Sequence, residues 1–252
     1  KVNLSIIFFS LGLSVYGIET FLAFQNKGKT KIDAFSDLRK SGVNAIPNIF
    51  PSEFIDSNGF ITNKIRIYPL GNISNSITIL TNESGFYPVI KTDEYGFNNS
   101  KGLYIKNEVD ILLIGDSYTE GFSVNPNETI SAVLRKLNYK AISVGKSGNG
   151  PLLELAALKE YGEPLEPKVV LWLYYTNDLK DLKNELRSPL LKKYLNENDY
   201  SQRLIFRQKE IDIILKKYSE VEWIKQKEKE KLANNFITRI IKLYNLRKMI
   251  SL

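Results

Sequence analysis

Residues 109–187 alternate short apolar runs with helix-like stretches, and this alternation constrains the fold more than any other feature of the chain. The runs at 109–114, 140–144 and 168–175 read as strands, and 127–137, 151–161 and 178–187 as helices. Strands separated by helical patterns of about 10–15 residues indicate βαβ units, hence an α/β fold with a parallel sheet flanked by helices. Val169 to Tyr174 is apolar throughout, which predicts a strand covered on both faces. Pro126-Asn127-Glu128-Thr129 opens the first helix with a plausible cap.

Each predicted strand runs into a polar turn. The first is Gly115-Asp116-Ser117-Tyr118-Thr119-Glu120-Gly121, the second Gly145-Lys146-Ser147-Gly148-Asn149-Gly150 and the third Tyr175-Thr176-Asn177-Asp178. In a parallel sheet such turns share one edge, where ligands bind. Taken singly, each has a structural explanation. Ser117 with Glu120 is a capping-box pattern, Asn177 or Asp178 suits a helix cap, and Gly148 and Gly150 permit a tight connection. Taken together they suit a serine nucleophile with an oxyanion hole.

Composition removes several alternatives. The chain of 252 residues contains no cysteine and no histidine, which excludes disulfides, thiol chemistry and imidazole or thiolate metal sites. Neither a metal nor a cofactor is expected. The net charge of +7 is uneven: residues 1–178 carry 17 Lys/Arg against 18 Asp/Glu, and residues 179–252 carry 18 against 10. No Gly-rich phosphate cradle or RNA-binding aromatic pattern accompanies the basic half, so a solvated helical face is expected and nucleic acid is not.

The N-terminal residues have a different character. Leu4 to Phe24 spans 21 residues with one charge, Glu19, which suffices to cross a bilayer. Leu22-Ala23-Phe24-Gln25 is a poor cleavage site, so an uncleaved anchor is preferred to a cleaved signal. Lys27, Lys29 and Lys31 follow the segment and leave its orientation open. Residues 25–107 read as a small mixed extension. Its helix carries Ile32, Phe35 and Leu38 and ends near Gly42, short strands fall within 60–68 and 76–81, and a turn falls at Asp93 to Gly96. A domain is expected over 108–252. Residues 188–252 form its helical insertion, with one apolar stripe at Ile211, Ile214, Leu215 and Tyr218 and another at Phe236, Ile237, Ile240, Ile241 and Tyr244.

Gly115-Asp116-Ser117, Gly148 and Asn177-Asp178, in this order and placement, resemble the blocks of the SGNH (GDSL-type) hydrolase superfamily over roughly residues 108–187. The resemblance implies a flavodoxin-like fold in which Ser117 attacks an acyl ester. It implies further that the Ser117 and Gly148 amides and the Asn177 side chain hold the oxyanion, while Asp116 and Asp178 play supporting roles. The apolar N-terminus, the Asp93-x-x-Gly96-Phe97 run and the helical insertion resemble the bacterial membrane-anchored branch. That branch implies an extracytoplasmic (periplasmic) domain acting on a small-molecule or polysaccharide acyl ester. Relatives in it include O-acetyltransferases of envelope polysaccharide.

Two departures stand out. Tyr175 replaces a glycine usual in the third block, and the family's late Asp-x-x-His block is missing. A serine hydroxyl is a weak nucleophile without a base. Three explanations are open: the chain is a fragment that stops short of that block, it is a non-catalytic carbohydrate-binding relative, or Lys146 acts as the base. The first is preferred. Oligomeric state is not legible.

Overall fold

A computed structural model describes residues 4–25, 30–62, 64–233 and 240–250. The chain forms two compact units, one drawn from residues 1–32 and 221–252 and the other from 33–220.

The larger unit contains the parallel sheet. Its strands β6 (Ile111–Gly115), β7 (Ala141–Ser143) and β8 (Val169–Leu173) lie in the order β7-β6-β8, both pairs parallel. Leu112 sits opposite Ile142 on one side and Val170 on the other, and Gly115 opposite Leu173. This register brings the carboxyl ends of β6 and β8 level, each running directly into a turn. The helix α3 (Ser117–Glu120) follows β6, α4 (Ile130–Lys136) leads to β7, α5 (Pro151–Ala157) follows β7 and α6 (Asp178–Glu185) follows β8.

Residues 33–107 belong to the same unit as the sheet. β1 (Ala45–Pro47) pairs parallel with β4 (Ile77–Ile79), which pairs antiparallel with β5 (Val89–Lys91), while β2 (Phe60–Thr62) and β3 (Ile65–Ile67) form a hairpin. α2 (Lys31–Lys40) precedes them with Phe35 buried, and Gly42 (φ 85°) follows the helix as expected. Phe54, Tyr68 and Phe97 from this region share one core with Leu112, Ile142, Leu153, Tyr161 and Leu191. The expected boundary near 107 therefore falls inside a continuous core.

The C-terminal helices divide between the units. α7 (Pro189–Asn196) packs against α5 and buries Leu190, Leu191 and Tyr194. The first half of α8 (Gln208–Ala233) seats Ile211 and Leu215 in the same core with Ile214 and Tyr218 against it, which is the first predicted stripe. Of the second stripe, Phe236 and Ile237 lie outside the described residues, and Ile241 and Tyr244 are exposed.

β8 departs from expectation. Val169, Val170, Leu171 and Trp172 are 47%, 40%, 38% and 54% exposed. The strand pairs with β6 on one side and has no pairing partner on the other among the described residues. An all-apolar sequence signals the burial that such a strand needs, and here it lies at the edge of the sheet.

In the smaller unit, α1 (Leu4–Gln25) is long and apolar enough to cross a membrane or serve as a signal sequence. Its one charge, Glu19, is buried. It accepts from the Asn245 amide (2.9 Å), Asn245 Nδ2 (2.8 Å) and the Leu246 amide (2.7 Å), capping α9 (Tyr244–Ile250).

Candidate functional site

The turn after β6 leaves the half-buried Ser117 free of capping because another residue caps the helix. Asp116 is the cap of α3, its Oδ1 accepting from the Tyr118 amide at 3.0 Å. Ser117 is the first helical residue, and its hydroxyl makes a single long hydrogen bond, 3.4 Å, to Asp116 Oδ2. The capping-box reading of Ser117 with Glu120 does not hold, since Glu120 turns to the second loop instead. α3 folds back so tightly that a Cβ on Gly115 (φ 153°) would lie 2.1 Å from Thr119 Oγ1.

Glu120 fixes the second turn. Its carboxylate pairs with the Lys146 ammonium, and its Oε2 accepts from the Ser147 amide at 2.8 Å. Lys146 is 1% exposed and donates also to Asn48 Oδ1 at 3.0 Å. Burial could tune a lysine toward base chemistry, but this ammonium is spent on Glu120 and Asn48, not on the Ser117 hydroxyl. Gly148 sits at φ 78° with Ser52 Oγ 2.8 Å from where a Cβ would be, so a side chain there meets both strain and a clash. Beyond it, Asn149 is fully buried with neither amide atom partnered. The Gly150 and Leu152 amides, at the start of α5, donate to Glu185 at 2.6 and 2.8 Å.

The third turn is held by Asp178, whose Oδ2 accepts from the Tyr175 amide at 2.7 Å. Tyr175 takes no left-handed conformation, so its side chain is tolerated at this position of the turn. Its ring lies 5.1 Å from that of Tyr118, which joins the third turn to the first. Asn177 begins α6 without capping it through its side chain, and its Nδ2 donates to Asp181 Oδ2 at 2.8 Å. The three turns are thus brought together: Glu120 links the first to the second, Tyr118 the first to the third, and Glu185 of α6 the third to the second. The Asn177 amide is committed to Asp181.

The electrostatics beside these turns are acidic. Glu154, on α5, bonds through Oε2 to the Trp172 indole N–H at 2.6 Å, and its Oε1 is buried without a partner. Burial raises its pKa to about 8, the indole bond opposes this, and the charges of Asp178, Glu185 and Asp116 add to it. Burial likewise raises Glu185 to about 7 against the pull of its backbone donors, and pushes Asp178 up. Among the described residues no group of three or more His, Cys, Asp or Glu is placed to hold a metal ion.

Sequence reasoning missed Ser52, Glu154 and Glu185, and identified Lys146 without its partner. No local pattern marks them, because each acts on a segment distant in the chain. Family models, curated proteins and solved structures offer no match to this chain.

Proposed function

We propose that Ser117 is the nucleophile of an acyl-transfer site, served by a general base that is not a histidine of this sequence. The observation that carries this reading is the freedom of Ser117. It stands at the carboxyl end of the middle strand, relieved of capping by Asp116, with one long hydrogen bond to its hydroxyl. The left-handed Gly148 beside Ser52 suits a backbone that meets a ligand closely.

In this reading the fold is that of the SGNH hydrolases, and α1 anchors the larger unit on the extracytoplasmic side. The base removes the Ser117 proton as Oγ attacks the ester carbonyl. The alcohol leaves with that proton, and water or a sugar hydroxyl resolves the acyl-enzyme. Asn177 joins the oxyanion hole when it releases Asp181. A non-catalytic carbohydrate-binding reading draws on one observation, the engagement of Asn177 by Asp181.

Chemical rescue tests the proposal. With free imidazole supplied as base, a fluorophosphonate should label the chain at Ser117, as read by peptide mass spectrometry, and Ser117→Ala should abolish the label. Absence of Ser117 labelling at any imidazole concentration would count against the nucleophile and leave the binding reading.

A further inference from the structure

A second cavity lies apart from the three turns, within the larger unit. It measures about 350 Å³, within the size range of small-ligand sites. Lys91, Lys101 and Arg135 line it together with Asn75, Asn98 and Asn127, and no carboxylate is among the lining residues. These residues come from the loop before β4, from β5 and the turn after it, from the loop before α4 and from α4 itself, so the fold gathers the three cations from well-separated positions.

The neighbouring acids are occupied elsewhere. Asp93 is buried and saturated by the Tyr95 and Phe97 amides, Asn99 Nδ2 and the Tyr104 hydroxyl. Glu94 accepts from the Gly102 amide at 3.0 and 3.1 Å, and Glu128 from Asn125. The Lys91 and Lys101 ammonium groups have no ion-pair partner among the described residues. Arg135 gives one nitrogen to the Ala141 carbonyl at 2.9 Å and retains further N–H donors. Lys136 adds a fourth positive charge nearby, its Nζ held on the Asn127 carbonyl at 2.7 Å.

Two ammonium groups without an ion-pair partner among the described residues, beside a guanidinium that feels the buried Asp93 charge but forms no ion pair, and bordered by asparagines, match an oxyanion carried on a hydroxylated small molecule. Arg and Lys donate to the anionic oxygens, and asparagine amides donate to and accept from hydroxyls. We propose that this cavity binds an anionic sugar, through a phosphate or carboxylate group held by Lys91, Lys101 and Arg135. The floor of the site touches the nucleophile helix, since Asn98 Nδ2 donates to the Glu120 carbonyl at 2.8 Å. The inference nonetheless stands independently of Ser117.

Isothermal titration of the detergent-solubilised chain with glucose 6-phosphate, glucuronate and glucose tests it. At least one anionic sugar should bind saturably while glucose does not, and the tighter of the two identifies phosphate or carboxylate as the preferred group. Lys91→Ala with Lys101→Ala should weaken that binding by about tenfold or more, and both residues are surface-exposed, so circular dichroism should be unchanged. The Ser117→Ala chain should bind as the parent does, which separates failure here from failure of the acyl-transfer reading. Binding of neither anionic sugar, equal binding of glucose, or full affinity in the double variant would overturn the proposal.

Discussion

Glu154 holds one carboxylate oxygen against the Trp172 indole and the other against nothing. Its proton is therefore retained to about pH 8 in the folded chain, against 4.5 for a free glutamate. A carboxyl group whose pKa is raised on folding contributes stability below its unfolded value and loses it as pH climbs through the folded one. Stability should fall between pH 4.5 and about 8, at up to about 1.4 kcal/mol per pH unit while the proton count differs by one. Glu154→Gln keeps an acceptor for the indole and should flatten that decline, leaving the part due to Glu185, which ends near pH 7. Urea midpoints across this range provide the check, and an unchanged slope in the variant would refute the account. Neither this residue nor the Lys146–Glu120 pair could be read from the chain. Lys146 looks like an ordinary polar turn residue because its partners stand 26 and 98 positions away. Ser117 was legible as a nucleophile candidate, yet its freedom depends on Asp116 taking the cap, a choice between two adjacent capping residues that sequence leaves open.

Elements were legible where several turns of pattern support them. β7 and β8 fall within the expected ranges, β6 runs one residue past its range to Gly115, and α4, α5 and α6 occupy the expected segments. β1 and β5 were not read, since three residues give too little alternation and Pro47 argues against a strand. The error at β8 is of another kind. Its composition reports the burial it requires, not the number of neighbours among these residues. Between elements, the decisive contact is made by Glu185, at the end of α6, with the amides that open α5. The initial amides of a helix have no partner within the helix, so an external carboxylate serves as the cap. Glu185→Ala should destabilise the larger unit by roughly 1–3 kcal/mol, and Glu185→Gln, which keeps one acceptor, by less. Chemical denaturation decides it: an alanine variant as stable as the parent would show that water satisfies those amides equally well.

At the scale of the molecule, one apolar helix and one buried charge set the physical behaviour. α1 offers an apolar span from Leu4 to Phe24 of mean hydropathy 1.7, with few of its residues buried, so most of its apolar surface lacks protein cover. Leu11, Leu13 and Phe21 are 57%, 64% and 60% exposed, which a lipid environment would compensate and water would not. Glu19 is the one charge that would oppose insertion. It lies near the C-terminal end of the helix, and its three hydrogen bonds to the start of α9 neutralise part of the cost. The chain should therefore stay in the membrane fraction through an alkaline carbonate wash. Leu11→Arg combined with Leu13→Arg places two cations near the middle of the span, each costing about 2.5–3.5 kcal/mol on insertion scales, and should release the protein. Recovery of the parent chain in the soluble fraction would remove the anchor and leave the exposed face of α1 in need of a protein partner instead.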